Sequence, residues 1–458
     1  MNLRGNHFLA ALVAGLIVLA QVCRGGALAQ DAAAPSAAAA AALGITNGPN
    51  ADEGVPVRGW LLFPSIFAGA VFNDNIYSTT SNRVARLGFR LQPKFEAESD
   101  NGIHATSVYA NGDFQFYPDS SGGSAFGTGR VGAIHTYEPT PDITVRWQAD
   151  YTRMNSLFPP GFWTSPAQTW QPYGTITDRS VFSNQTVGSL SLEKKLSDLF
   201  FVKASGGVQY SSYDQPSQSG SPYGGLSNPF SPLNGVDYSA SLRAGVMMTP
   251  QIYAFVEGGA DFHRYTVGLN DTNDYRLIAG VGSDLIRLMR GEAYAGYATQ
   301  VSSHGNFGAT GLMIFGARLS YYPTPYLVVS GSVEQSLAAT NLQGSPVSPF
   351  GTLSFTKPSS AAHSLLARAQ IDYSFSQAWT GFVQAGYGVT RYPGFANTPS
   401  LQVTSVGAGV KYNLWRNLAM TAEYQYNYSN SRYAGGSTSG SAVHISQNVI
   451  SVGLTYQY

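Results

Sequence analysis

The stretch ITVRWQADYT, residues 143–152, alternates apolar and polar side chains without a break. Every odd-numbered residue from Ile143 to Tyr151 is apolar, and every even-numbered residue from Thr144 to Thr152 is polar or charged. Successive side chains of a β-strand point to opposite faces, so this segment has one face suited to lipid and one suited to water. It predicts a strand that separates two different solvents.

The same alternation recurs in about eighteen segments from residue 58 to the end, for example in 202–211, 365–374 and 418–428. Longer Gly-, Ser- and Pro-rich breaks at 155–184, 214–236, 338–360 and 430–443 alternate with short breaks. The short breaks are Asp100-Asn101-Gly102, Pro139-Thr140-Pro141-Asp142, Leu196-Ser197-Asp198, Thr249-Pro250-Gln251, Arg290-Gly291, Pro323-Thr324-Pro325, Ser376-Gln377-Ala378 and Trp415-Arg416-Asn417. This layout predicts an all-β fold over residues 58–458: a single closed transmembrane antiparallel β-barrel with short periplasmic turns and long extracellular loops.

The composition agrees with a surface that largely avoids water. Only 11% of the 458 residues are charged, against about 25% in soluble domains. Beyond the N-terminus no run of about 18 apolar residues could form a membrane-spanning helix. The 26 basic and 26 acidic residues balance, and no basic run exists to bind phosphates, so we expect no nucleic-acid partner.

The N-terminus is typical of an export signal. Residues 1–29 combine Arg4, an apolar stretch and the small-residue site Ala27-Leu28-Ala29, which predicts a cleaved signal peptide. An uncleaved anchor and lipidation of Cys23 are the alternatives, the second weakened by Val22 where a small residue is usual. Residues 30–57 are predicted to be a flexible, Ala-rich periplasmic lead-in.

Aromatic residues gather at segment ends and predict a periplasmic girdle at the headgroup level. The girdle candidates are Tyr321, Tyr322, Tyr326, Tyr373, Phe375, Trp379, Tyr412 and Trp415. The last segment ends in apolar residues at strict alternation, a pattern that resembles the signal read by the barrel-assembly machinery of outer membranes. Its residues are Ile450, Val452, Leu454, Tyr456 and Tyr458. We expect outer-membrane lipid, lipopolysaccharide and that machinery as partners, and either a monomer or a homotrimer.

Charged residues fall on the water-facing set of these segments and are candidates for a pore lining with weak charge selectivity. The candidates are Arg86, Arg90, Lys94, Glu96, Asp113, Arg146, Asp150, Lys203, Arg243, Glu257, Asp261, Arg276, Arg318, Glu334, Arg368, Asp372, Lys411 and Glu423. The alternative is that these charges pair across strands and partly fill the lumen. The third long break carries rings that could narrow the pore or stack on sugars, or simply cap the surface: Phe158, Phe162, Trp163, Trp170 and Tyr173.

The chain shows no pattern of catalytic or metal-binding residues, so we expect no enzyme activity, no cofactor and no metal. His363 and Ser364 are adjacent and therefore face opposite sides of a strand, and the other histidines stand alone in their segments. No HExxH motif and no cysteine ligands occur. Asp271, Asn273 and Asp274 share a predicted loop, where calcium binding is the alternative to simple solvation.

The opening Arg58-Gly59-Trp60 and the later run Phe72-Asn73-Asp74-Asn75-Ile76-Tyr77 resemble the putative β-barrel porin 2 family. In that family an aromatic residue followed by Asp-Asn marks the end of an early strand. The resemblance implies an outer-membrane barrel over residues 57–458. The sequence favours passive diffusion of small hydrophilic solutes. Because members often accompany exopolysaccharide genes, the resemblance also implies an alternative: a non-enzymatic accessory to polysaccharide export or envelope assembly that binds sugars or polysaccharide.

Overall fold

The protein is an all-β molecule whose strands form one closed wall. The computed structural model describes residues 54–77, 82–118, 124–156, 181–214, 234–266, 271–286, 288–303, 309–342, 347–348, 351–352, 359–391, 400–432 and 442–458. The strands are β1 (Val55–Val57), β2 (Trp60–Asn73), β3 (Arg86–Asp100), β4 (His104–Tyr117), β5 (Ser124–Thr140), β6 (Ile143–Ser156), β7 (Val181–Lys195), β8 (Phe200–Asp214), β9 (Gly235–Thr249), β10 (Ile252–Tyr265), β11 (Thr272–Ile286), β12 (Met289–Ser302), β13 (Thr310–Thr324), β14 (Leu327–Leu342), β15 (Val347–Ser348), β16 (Gly351–Thr352), β17 (Ser359–Ser374), β18 (Trp379–Arg391), β19 (Ser400–Trp415), β20 (Leu418–Arg432) and β21 (Ala442–Gln457).

The barrel wall contains eighteen of these strands, each paired antiparallel with the next along the chain. The wall closes where β2 pairs with β21, from Ser65–Gln457 to Asn73–Val449. The short strands β15 and β16 pair only with each other and lie between β14 and β17 in sequence. The predicted fold class and the strand count of about eighteen are confirmed.

The alternation seen in the sequence separates the two faces of the wall. Phe89, Leu277 and Met313 expose 61–67% of their surface on the outside, as expected for side chains that meet lipid. Their neighbours in sequence point inward, for example Arg90 beside Phe89 and Arg276 beside Leu277. The side chains from Ile450 to Tyr458 predicted to alternate outward also expose 40–62% of their surface.

Eight short connections lie at one end of the barrel, and the longer ones lie at the other. One predicted turn is wrong: Arg290 and Gly291 lie inside β12, and the turn precedes Met289. The predicted girdle mostly faces outward at the short-turn end, where the tilted rings of Trp379 and Tyr412 are in contact, with centroids 4.4 Å apart. Tyr322 is the exception, since it is only 6% exposed and alternates inward from Tyr321.

The first strand of the barrel is extended by a hairpin. β1 pairs with Trp60–Leu62, below the point where β21 stops covering the same edge of β2. The two-residue turn Arg58-Gly59 has positive φ at both positions, 50° and 86°, which is the geometry of a type I′ turn. The turn at Arg58-Gly59 thus brings β1 back along β2, and β1 covers an edge that β21 leaves open.

None of the described residues forms a helix with the length and apolar character needed to cross a bilayer.

Candidate functional site: the inner face of the barrel

All eighteen charged residues predicted to line a pore lie on the inward face of the wall. Their strands place them at positions that alternate with the exposed apolar residues, and the cross-strand register keeps them on the same side. The structure brings many of them into contact as ion pairs. Their role in lining a conducting pore stays a prediction.

The first group of charges is centred on Arg90, on β3. Its guanidinium donates to both carboxylate oxygens of Asp113 at 2.9 and 2.7 Å and to Glu423 at 3.1 Å. Glu423 lies on β20, so Arg90 reaches over β2 and β21, where the inward positions are Gly69 and Gly453. A methyl group built on Gly69 would lie 2.4 Å from the backbone oxygen of Val452, so this close approach requires glycine.

A second group joins β4, β5 and β6. Asp150, only 5% exposed, accepts hydrogen bonds from Arg130 at 2.7 Å and from the hydroxyl of Tyr109. The Arg130 guanidinium also lies over the Tyr109 ring, 5.2 Å from its centroid. Gly132 lies between Tyr109 and Asp150 in the register and leaves room for the two side chains to meet.

The third and largest group lies on β9 to β12. Arg243 donates to Glu257 and Glu292, both at 2.8 Å, and its guanidinium is 3.9 Å from the ring centroid of Phe255. Arg276 donates to Asp261 at 2.5 Å and contacts Glu257 at 3.5 Å. Two arginines and three carboxylates thus form a ladder of alternating charge along the inner wall.

The other candidates are more dispersed. Lys94 contacts Glu96 at 3.3 Å, and Arg318 contacts Glu334 at 3.8 Å. Asp372 accepts hydrogen bonds from Gln370 at 2.9 and 3.0 Å. The remaining five inward candidates are Arg86, Arg146, Lys203, Arg368 and Lys411.

Two charged members of these clusters, Arg130 and Glu292, are absent from the sequence-based candidates. Arg130 lies in a strand whose glycines at 127, 129 and 132 weaken the apolar–polar alternation. Glu292 directly follows the pair Arg290-Gly291, which predicts a turn, whereas the structure places Glu292 inside β12. Strict counting of alternate positions back from Tyr294 would have identified Glu292.

Several histidines that stand alone in their own segments have partners on neighbouring strands. His104 lies 3.4 Å from His135 and stacks on Tyr137, across neighbouring strands. His263 contacts Asp237 at 2.7 Å and Asp274 at 3.3 Å. Pairing across strands brings together residues that are far apart in sequence, which no single segment reveals.

The calcium alternative for residues 271–274 is also not supported by their placement. Asn273 and Asp274 lie in β11 on opposite faces, and Asp271 accepts a hydrogen bond from the backbone N–H of Tyr265. Among the described residues, no group of three or more His, Cys, Asp or Glu is placed to hold a metal ion. The proposed constriction residues lie outside the described part of the chain: Phe158, Phe162, Trp163, Trp170 and Tyr173.

The motif Asn73-Asp74-Asn75 lies where β2 ends beside β21, at the long-loop end. The Asp74 carboxylate accepts hydrogen bonds from the backbone N–H and the side-chain amide of Asn448, both at 2.6 Å. The amide of Asn75, which is fully buried, donates to the Ser446 carbonyl at 3.0 Å. Gln447 in turn donates to the Asn75 carbonyl at 3.0 Å. We call this set of contacts the seam latch, because it continues the β2–β21 pairing with side chains beyond the backbone ladder.

No curated protein matches the chain. Similar solved structures include the siderophore receptor PirA from Pseudomonas aeruginosa, at 10% identity, with 87% of this chain and 80% of that chain covered and a TM-score of 0.40. They also include the FrpB iron transporter from Neisseria meningitidis, at 9% identity, 88% and 83% coverage and a TM-score of 0.43.

The family model described as putative beta-barrel porin 2 matches residues 48–458, which includes every strand of the barrel. The chain therefore belongs to the putative beta-barrel porin 2 family and is an outer-membrane β-barrel protein.

Proposed function

We propose that this protein is a channel for the passive diffusion of small hydrophilic solutes, with weak charge selectivity. The observation that carries the proposal is the inner face, where ten basic and eight acidic candidates are interleaved and many are paired in ladders. Barrels of sixteen to eighteen strands are wide enough to enclose an aqueous channel. Ladders of opposite charge orient a polar solute and give little net preference for either ion sign.

Planar-bilayer recording of the purified protein tests this proposal. We expect discrete conductance steps and, in a salt gradient, a cation-to-anion permeability ratio within about threefold of one. Lys203→Glu should shift the reversal potential toward cations, because Lys203 lies on the inner face between Glu193 and Arg243. Arg58→Glu, in the hairpin turn outside the wall, is the matched control and should leave the reversal potential unchanged.

A preparation that inserts into bilayers but never conducts would contradict the channel and favour an accessory role in polysaccharide export or envelope assembly. The predicted constriction is tested separately by deleting residues 158–173, which should raise the single-channel conductance. An unchanged conductance would contradict a constriction by that segment without affecting the channel itself.

A further inference from the structure

Two histidines meet on the outer face of the wall, at the short-turn end. His104 begins β4, directly after a short turn, and His135 lies near the end of β5. His104 is opposite Tyr137 in the cross-strand register, and His135 is opposite Thr106. The two histidines are therefore diagonal neighbours on one face of the hairpin, close enough for long side chains to touch. That face is the outer one, because it carries Tyr137, which is 37% exposed.

The facing ring nitrogens of the pair are separated by the distance that a tetrahedral metal ion requires. Nδ1 of His104 and Nε2 of His135 are 3.4 Å apart. Hydrogen bonds from N–H donors usually span about 2.7–3.2 Å, so this separation is long for a direct bond. Two imidazole nitrogens that each bind one tetrahedral Zn²⁺ at about 2.0–2.1 Å are roughly 3.3–3.4 Å apart. A square-planar ion with the same bond lengths would need about 2.8–3.0 Å, so the spacing favours Zn²⁺ over Cu²⁺.

Neighbouring side chains hold both imidazole rings in place. The hydroxyl of Thr106 lies 2.8 Å from Nδ1 of His135, the ring nitrogen that faces away from His104. Histidines that bind metals usually donate this second N–H to an oxygen, which leaves the other nitrogen free to bind the metal. His104 stacks on Tyr137 with ring centroids 4.7 Å apart, and His135 stacks on Trp147 at 5.6 Å. Stacking covers the faces of the rings and leaves their edges, where a metal binds, unobstructed.

The histidine pair is accessible from outside the wall. His104 is exposed and His135 is half-buried, and both lie close to the short turns, where water reaches the barrel. Within the described ranges, no third His, Cys, Asp or Glu is placed to complete a closed metal centre. Because Zn²⁺ takes four ligands, two positions would be left for water. The two histidines are 31 positions apart, so no metal-binding motif within one segment could have revealed them.

We propose that His104 and His135 form an open zinc site on the outer rim of the barrel, at the short-turn end. Nδ1 of His104 and Nε2 of His135 bind the ion, and two water molecules complete its tetrahedron. His135 keeps its ring hydrogen on Nδ1, where Thr106 accepts it, and His104 carries its own on Nε2. The ion thus links β4 to β5 and leaves the inner face of the barrel unchanged.

Calorimetric titration with ZnCl₂ tests the site in the detergent-solubilised protein, purified without a polyhistidine tag and stripped with a chelator. We expect one Zn²⁺ to bind per chain. His135→Gln removes one ligand and should weaken binding at least about tenfold. Thr106→Val keeps both ligands but removes the oxygen behind His135, which should weaken binding by about tenfold. The matched control is His444→Gln, because His444 is also exposed but stacks on Tyr428 instead of a second histidine. It should change binding less than about twofold.

Co²⁺ in place of Zn²⁺ gives a second measurement, which reports the geometry of the site directly. Four-coordinate Co²⁺ absorbs visible light strongly and six-coordinate Co²⁺ only weakly, so the unmodified protein should give the strong spectrum and His104→Gln should lose it. Conductance in bilayers should be the same for all of these variants, which separates failure of the zinc site from failure of the channel. The proposal is overturned if the unmodified protein binds no Zn²⁺, if His135→Gln binds it equally well, or if bound Co²⁺ is six-coordinate.

Discussion

Two junctions in the barrel wall have short backbone ladders, but they differ in how strongly side-chain contacts reinforce them. At the β2–β21 seam nine residue pairs are in register, and at β13–β14 only eight are, whereas β20–β21 has fifteen. The seam is extended by the latch at Asp74 and Asn75 and is bridged on the lumen side by Arg90. Beyond its backbone ladder, the described part of the β13–β14 junction is bridged by a side-chain hydrogen bond from Gln335 and a long contact from Arg318 to Glu334.

The difference follows from how far apart in the chain the paired strands are. The seam joins strands that are almost the whole chain apart, so no connecting loop holds them together, and the register must come from side chains. β13 and β14 are joined by a short turn at Pro325-Tyr326, which fixes their lower half. In their upper half the two strands are held by apolar packing, which is less directional than a backbone ladder and is disrupted more easily. The variants below test whether stability is concentrated at the seam.

The largest loss of stability is expected from Asp74→Ala. The substitution removes a charged acceptor and leaves the backbone N–H and the amide of Asn448 without it, which should cost about 2–3 kcal/mol. Urea unfolding of the detergent-solubilised barrel, followed by the mobility shift of folded barrels on gels, measures the change. The variant should also slow closure of the barrel during refolding.

Asp271→Ala is the matched control for Asp74→Ala. Asp271 also accepts a backbone N–H at the long-loop end, from Tyr265, but between strands that follow each other in the chain. Its loss should cost about 0.5–1.5 kcal/mol and leave refolding unaffected. Equal losses of stability for the two aspartates would show that the seam latch stabilises the barrel no more than an ordinary contact between consecutive strands does.

A smaller loss is expected from Arg90→Leu. It leaves Asp113 and Glu423 without their shared cation, but both carboxylates are about a third exposed and keep part of their hydration. We expect about 1–2 kcal/mol, measured by the same unfolding assay. The comparison residue is Arg318, whose side chain is 43% exposed and contacts Glu334 at 3.8 Å across β13–β14. Because this ion pair is long and exposed, Arg318→Leu should cost less than about 0.5 kcal/mol. A larger effect at Arg318 than at Arg90 would reverse the contrast between the junctions.

The sequence predicted the fold because a strand's two faces follow from alternation alone. The same parity places all eighteen charged candidates on the inner face. Which of them meet depends on the register between strands and on the curvature of the closed wall. Arg90 and Glu423 are 333 positions apart and touch only because the barrel closes, so their contact cannot be read from either segment.

The early end of the β13–β14 ladder left a signal in the sequence, in the loss of alternation. Residues 312–315 read Leu-Met-Ile-Phe, four apolar residues in succession, and residues 336–340 read Ser-Leu-Ala-Ala-Thr. The first run is apolar on both faces because the inward side chain of Ile314 joins a buried apolar cluster with Phe255, Ile278 and Ala298. The second run was interpreted as the start of a loop at residue 338, although β14 continues to Leu342. Breaks in alternation inside a long strand can therefore mark an apolar cluster as well as a loop boundary.

After Asp74→Ala and Arg90→Leu, a smaller loss of stability is expected from Gln335→Ala. The substitution removes one neutral hydrogen bond, to the Met313 carbonyl, at an outward position where the shorter side chain is easily accommodated. We expect about 0.5–1 kcal/mol in urea unfolding, well below the loss for Asp74→Ala. Because the ladder already ends at Phe315–Gln335, the cost should come from that one carbonyl and not from further unpairing. A loss as large as that of Asp74→Ala would mean that Gln335 holds β13 and β14 together as the latch holds the seam.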